Sequence, residues 1–234
     1  MKYLTTLIIL LSFQQLMSQH TESIAIRSFE DLKVTGPFEV ELFRGNEVSL
    51  TLDPGDIPLD EIIAEVSGGQ LTLKMQTSAF FNDRYYDDYR IKVTLYYTEL
   101  HSITAHAGSI IRSETLLEMA SLSLEATTGA HINLKTNTER LWGKTVTGGE
   151  ILLYGQTIQL DAIAKTGGIF SAKKLQTDEA YLKAVTGGVV RVSVADKVEA
   201  EAELGGEVYY YGDPEVWHTN TSLGGVIQGR SYQN

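Results

Sequence analysis

Apolar and polar residues alternate along most of the chain, and the alternation is punctuated at a nearly fixed interval. Thr-Gly-Gly occurs with its first glycine at Gly148, Gly167 and Gly187, and Leu-Gly-Gly follows at Gly205 and Gly224. Thr-Gly-Ala at Gly129 begins the series; successive spacings are 19, 19, 20, 18 and 19 residues, and Gly108 stands 21 residues farther upstream. The second residue after each doublet is Ile151, Phe170, Val190, Val208 or Ile227, and two farther on stand Leu153, Ala172, Val192 and Tyr210. Between them lie mixed residues such as Glu150, Ser171, Arg191 and Tyr209. A period of two predicts strands with one face turned inward.

The run before each glycine aligns as well. Seven residues upstream stand Leu122, Leu141, Leu160, Ala180, Val198 and Trp217; five upstream, Leu124, Gly143, Ala162, Leu182, Ala200 and Thr219. Three upstream are Ala126, Thr145, Ala164, Ala184, Ala202 and Thr221. One face is apolar or small and tapers toward the corner. Hairpins need turn residues but not small residues in register on every return. A coil that stacks on itself needs both, because equivalent side chains pile up about 4.8 Å apart. The reading is an all-β protein, a β-solenoid or parallel β-helix-like stack with coils of about nineteen residues. Its structural set is Gly129, Gly148, Gly149, Gly167, Gly168, Gly187, Gly188, Gly205, Gly206, Gly224 and Gly225 at the corners, with Ala164, Ala184 and Ala202 inside them. The doublets supply positive φ or close backbone approach. The competing reading is a sandwich of hairpins, for which LYGQT and YYGDPEV offer further turns.

Residues 19–100 are less regular. FEDLKVTGPFEVELFRGNEVSLTLD predicts three short strands, a helical or irregular excursion lies near Leu59 to Ile63, and QLTLKMQT and IKVTLYY read as strands around a second excursion. This region is expected to cap the regular repeats of 101–234 or to form their first coils, since terminal repeats are atypical. Residues 1–18 read as an export signal: Lys2, an apolar run from Leu4 to Phe13, then LMSQ, with cleavage after Ser18. That run is too short to span a membrane as a helix, and no second long apolar segment follows.

The formal charge of −11 excludes the basic footprint of nucleic-acid binding and of a polybasic membrane contact. With no cysteine there is neither a disulfide framework nor a lipid-bearing thiol. The expected location is secreted, periplasmic or cell-surface.

RSFEDLKVTGPFEVELFRG, YYTELHSITAHAGSI and the recurring TGG and LGG units ending in LGGVIQG resemble the "putative auto-transporter adhesin head GIN domain" family, exported proteins common in Bacteroidetes. The likeness covers about residues 22 to 230. It implies an extracytoplasmic β-helix-like fold with an adhesin-like or structural role and no catalytic residues to carry over. Tyr209, Tyr210 and Tyr211 depart from the small residues that the family pattern favours after a doublet.

The chemistry-bearing residues do not converge in the sequence. His20, His101, His106, His131 and His218 lack the three or four clustered ligands of a metal site, so no metal and no cofactor are expected. NDRYYDDYR, with Asp83, Asp87, Asp88 and three tyrosines, offers oxygens and rings but not the fixed pattern of a calcium loop. Asp161 and Glu199 fall at matching positions two coils apart, roughly 10 Å, somewhat beyond the separation of a hydrolytic pair. The candidate ligand-binding residues are aromatic: Trp142 and Tyr181 in one outward column with His218, and Tyr154, Tyr209 and Tyr211 on the other outward face. Flat rings on a rigid sheet suit a glycan or a protein at the cell envelope; plain packing between coils is the alternative use for them. The short last rung LGGVIQGRSYQN is an end at which copies of the chain can meet.

Overall fold

The alternating runs form strands that lie in register on the runs one period away. The computed structural model describes residues 21–76 and 90–230; the export segment, His20 and residues 82–89 of the Tyr/Asp-rich stretch lie outside the described residues. Eight short strands come first: β1 (Glu22–Ile24), β2 (Asp31–Thr35), β3 (Phe38–Arg44), β4 (Ser49–Asp53), β5 (Ile62–Ser67), β6 (Gln70–Met75), β7 (Ile91–Tyr97) and β8 (Ser102–His106). Five long strands follow: β9 (Ile110–Thr127), β10 (His131–Val146), β11 (Glu150–Lys165), β12 (Ile169–Val185) and β13 (Val189–Glu203). Then come β14 (Glu207–Tyr211), β15 (Val216–Ser222) and β16 (Val226–Arg230). A 3-10 turn, Leu59–Glu61, occupies the first excursion.

From β9 onward the pairing is parallel, with Ile132 beside Ile151, Ile151 beside Phe170, Phe170 beside Val190, and Val190 beside Val208. Parallel neighbours nineteen residues apart exclude the hairpin sandwich and make the chain a β-solenoid. Each long strand serves two sheets. The first half of β9 pairs with β3 and its second half with β8; β13 likewise pairs with β14 and then with β15. A coil is therefore an arm, a rounded bend, a second arm and a tight corner, with the core between the arms. Ala164, Ala184 and Ala202 are in register and fully buried at the narrow end of that core. Where the column five residues before the corner has Gly143, the ring of Phe170 fills the place a side chain would take: a Cβ there would lie 2.1 Å from it.

The corners follow one design. Thr147 and Gly148 have φ of 50° and 70°, and the Gly149 N–H donates to the Val146 carbonyl at 3.0 Å. Two consecutive left-handed residues closed by that hydrogen bond are the signature of a type I′ turn. The same pair of positive φ values recurs at seven corners, from Ala107–Gly108 to Leu223–Gly224. A β-branched threonine in this region is strained. Neighbouring corners hold it there: Gly129 N–H donates to the Thr147 carbonyl and Gly167 N–H to the Thr186 carbonyl, both at 3.2 Å. The first glycine of a doublet thus supplies the backbone conformation. The second supplies proximity, since a Cβ at Gly188 would lie 2.2 Å from the carbonyl oxygen of Ala164.

Variation in coil length is absorbed at the bends. Register shifts fall at Leu134/Lys135, Leu152/Tyr154, Ala172/Gln176 and Thr177/Glu179, whereas the second arms pair without interruption into the corner. LYGQT and YYGDPEV, the extra turn candidates, lie at these bends, with Gly155 and Gly212 at φ of 110° and 131°.

The first coils are threaded out of sequence order. On one sheet the order from β9 is β3, β7, β4, β1; on the other it is β8, β2, β6, β5. The β2–β3 coil therefore sits between the β6–β7 coil and the regular stack. Antiparallel β4, β1 and β5 close the N-terminal end. One buried cluster runs continuously from Phe29 to Val208. At the opposite end, every residue of β15 is exposed.

Candidate functional site

Outward positions on the second-arm sheet form two neighbouring columns. One reads Trp142, Asp161, Tyr181, Glu199, His218; the other Glu125, Lys144, Ile163, Lys183, Glu201, Asn220. Their side chains frame an open cleft of about 430 Å³ that runs across the coils from Trp142 to Asn220. The expected column of Trp142, Tyr181 and His218 is thus real, with the carboxylates of Asp161 and Glu199 alternating between the rings.

Charges in and beside the cleft are fixed pairwise. Lys183 Nζ donates to Glu201 at 2.6 Å, Lys144 Nζ to Glu125 at 2.8 Å, and Lys197 Nζ lies 2.7 Å from Glu199. Lys197 also donates to the Tyr181 hydroxyl at 3.1 Å and stands 4.9 Å from its ring centroid. The hydrogen bond from Lys197 holds the Glu199 carboxyl below its usual range, and that from Lys183 does the same for Glu201. Lys183 and Lys197 are pushed up in return, by Glu201 and Glu199 respectively. These pairs are partly exposed and orient side chains more than they stabilise the fold. Asp161 accepts a hydrogen bond from Gln159 at 3.1 Å. Trp142 is 36% exposed, and among the described residues no cation sits over its ring.

The other candidate rings are differently placed. Tyr154 and Tyr209 share the outward face of the first-arm sheet but occupy different columns, three rungs apart. Lys174 stands 5.3 Å from the Tyr154 ring centroid and Lys173 4.6 Å from that of Tyr211. Arg191 and Arg230 both lie over Tyr209, at 5.5 and 5.4 Å. Donation to Glu207 at 2.8 Å raises the Tyr209 hydroxyl above its ordinary range. Tyr209–Tyr211 pair in register with Arg191–Ser193 and Gln228–Arg230, so the departure from the family pattern does not interrupt the coil. The Lys174 and Lys173 contacts were not readable from the period, whereas Arg191 and Tyr209 share one of its columns. Only the bulge in β12, which offsets Lys174 onto Tyr154, makes the Lys174 contact readable.

The described histidines stay apart. His131 faces Glu150 at 3.1 Å, His101 lies against Glu30 and Glu99, and His106 bonds Thr127. Among the described residues no three His, Asp or Glu side chains converge as metal ligands. A second cleft, about 500 Å³, lies at the bends beside Asn137, Gln156 and Gln176. There Gln156 donates to Asn137 at 3.1 Å, an amide ladder without an aromatic surface.

A family model described as "putative auto-transporter adhesin, head GIN domain" matches residues 28–214. Among solved structures, the fold is similar to that of a "putative adhesin" from Bacteroides fragilis NCTC 9343, at 16% identity and a TM-score of 0.80, covering 90% of this chain and 96% of that one. A "putative adhesin" from Parabacteroides merdae ATCC 43184 aligns at 15% identity and a TM-score of 0.64, over 90% of this chain and 94% of that one. A "putative lipid binding protein" from Parabacteroides distasonis ATCC 8503 aligns at 15% identity and a TM-score of 0.61, over 91% and 96%. At these identities the likeness is one of fold. No curated protein matches the chain at a significant level.

Proposed function

Because the chain belongs to the "putative auto-transporter adhesin, head GIN domain" family, we propose that it is an exported, non-enzymatic binding module that presents its second-arm face to a glycan at the cell envelope. The observation that carries this reading is the Trp142 cleft. Trp142 offers a free ring two rungs from Tyr181, about 9.6 Å along the stack, a separation suited to alternate sugar rings of an extended glycan. Asp161, Lys183, Glu199, Glu201 and Asn220 supply donors and acceptors around the rings. All of them project from a hydrogen-bonded sheet, so little ordering entropy is lost on binding.

Hydrolysis fits the cleft less well. Asp161 and Glu199 are separated by a full rung carrying Tyr181, and Glu199 is held ionised by Lys197. A general acid requires the opposite shift. Lipid binding is not carried over from the P. distasonis protein, because the space between the arms is filled by buried side chains such as Ile151, Phe170 and Val190.

The test is a glycan array followed by calorimetry on the best binder. Trp142→Ala is expected to weaken binding roughly tenfold or more, as truncation of a central aromatic anchor does. Tyr209→Ala should leave affinity unchanged. Absence of any glycan ligand, or full affinity in Trp142→Ala, would refute the assignment.

A further inference from the structure

We propose that the C-terminal end of the solenoid is a dimerisation face, closed by the same end of a second copy of this chain. It rests on neither the glycan nor the cleft. In the last rung, among the described residues, β15 pairs only with β13 and β16 only with β14. Both therefore present an unpaired backbone edge to solvent, a template for another strand. The core is open there too. Trp217 continues the column of Leu141, Leu160, Ala180 and Val198, which are buried, yet it is 62% exposed. Of the ten large apolar side chains exposed among the described residues, five, Leu204, Val216, Trp217, Leu223 and Val226, belong to the last two coils. Such clustering at one end marks an interaction surface rather than scattered exposure.

Charge selects the occupant. The second arm of β13 reads KVEAEAE, whereas β15 reads VWHTNTS and has no acidic or basic residue besides His218. On a chain of formal charge −11, this uncharged rung is where two copies approach with least repulsion. One rung beneath it stand Lys197, Glu199, Glu201 and Glu203, whose carboxylates are paired with Lys197 or Lys183, while Asp213, Glu215 and Arg230 lie toward the bend. Exposed edges are ordinarily protected by charges, proline or bulges; β15 contains none, and β16 only Arg230 at its end.

Symmetry gives the arrangement. A two-fold that brings two like ends together makes the abutting strands antiparallel, a pairing the edges accept. Head-to-tail addition is less favourable, because among the described residues the opposite end offers three-residue β1 and the six-residue antiparallel β5, where Arg27 already donates to the Val66 carbonyl at 3.2 Å. The assembly therefore closes as a dimer instead of growing into a fibre. A seven-residue arm spans about 23 Å, and two sheets with their side chains about 20 Å. The contact buries roughly 1,000 Å² in all, at the lower limit for a specific interface, and association is expected in the micromolar range.

Sedimentation of the exported chain across the micromolar range tests this. The mass should rise from one chain to two. In a Trp142→Phe background, where Trp217 is the sole tryptophan, emission should move to shorter wavelength over the same range. Trp217→Glu, at an exposed position, should keep its circular dichroism and weaken association about thirtyfold or more. A chain that stays monomeric overturns the proposal. If its Trp217 is then open to acrylamide, the edge serves another kind of partner; if shielded, it is covered from within the chain. A dimer indifferent to Trp217→Glu overturns it equally, by locating the contact elsewhere.

Discussion

Replacing Gly188 by alanine is expected to lower stability by about 3 kcal/mol or more, and replacing its neighbour Gly187 by only about 1–2 kcal/mol. The two glycines are adjacent and equally small, yet the structure requires them for different reasons. Gly187 sits at φ of 70°, and a Cβ added to it would have nothing within 4 Å, so alanine there meets backbone strain alone. Gly188 has ordinary φ, but its added carbon would meet the carbonyl oxygen of Ala164 at 2.2 Å and its carbonyl carbon at 2.4 Å. Backbone on both sides of the contact is held by the inter-coil ladder and cannot rotate away. Urea or thermal unfolding of the two variants measures the difference, roughly 4 °C or more in midpoint for a chain of this size. Equal losses would mean that the coils are not stacked at this distance.

Ala184→Glu is expected to be the most damaging single change, at about 4 kcal/mol or more. Ala184 is fully buried between Ala164 and Ala202, and the corner of the next coil closes over it through Gly206. A glutamate there must either remain ionised without a partner or take up a proton, and in both cases its volume forces neighbouring coils apart. Against a total stability of typically 5–15 kcal/mol, much of the protein should be unfolded or insoluble. Lys183→Ala, one residue away, should cost no more than about 1 kcal/mol, because its side chain is 38% exposed and its pairs with Glu201 and Glu203 are screened by water. Soluble yield and far-ultraviolet dichroism distinguish the two. A folded Ala184→Glu with an unchanged midpoint would place residue 184 outside the core.

The stack was legible because its requirements repeat. Leu141, Leu160, Ala180 and Val198 share a sequence column and a spatial one, and the taper toward Ala164, Ala184 and Ala202 reflects the narrowing at each corner. What does not repeat stayed hidden. Positive φ at Thr128, Thr147, Thr166 and Thr186 violates the residue preference it would be read from, and is imposed by the adjoining corners. Ser109 and Ala130 occupy the place of the second glycine while the turn beside them is unchanged. Hence that glycine answers to the coil beneath, which no local pattern encodes. Gly143 stood out as a gap in an apolar column, but Phe170, which fills it, comes from the opposite arm two coils on. The threading of β2–β3 between later strands depends on long-range pairing alone. In the candidate site, the Trp142–Tyr181–His218 column followed from the period. The lysines that orient it did not, since Lys197 reaches Tyr181 diagonally between rungs.

Distances between spin labels along one outward column test the stacking most directly, and a chain without cysteine accepts them at chosen sites alone. His131, Glu150, Ile169, Val189, Glu207 and Val226 stand over one another in successive coils. Labels at His131 paired with Val189, Glu207 or Val226 should lie about 14, 19 and 24 Å apart, rising by about 4.8 Å for each coil. Separations that fail to grow with the number of intervening glycine corners, or a Val226 label nearer to His131 than a Val189 label, would contradict a chain that winds about one core.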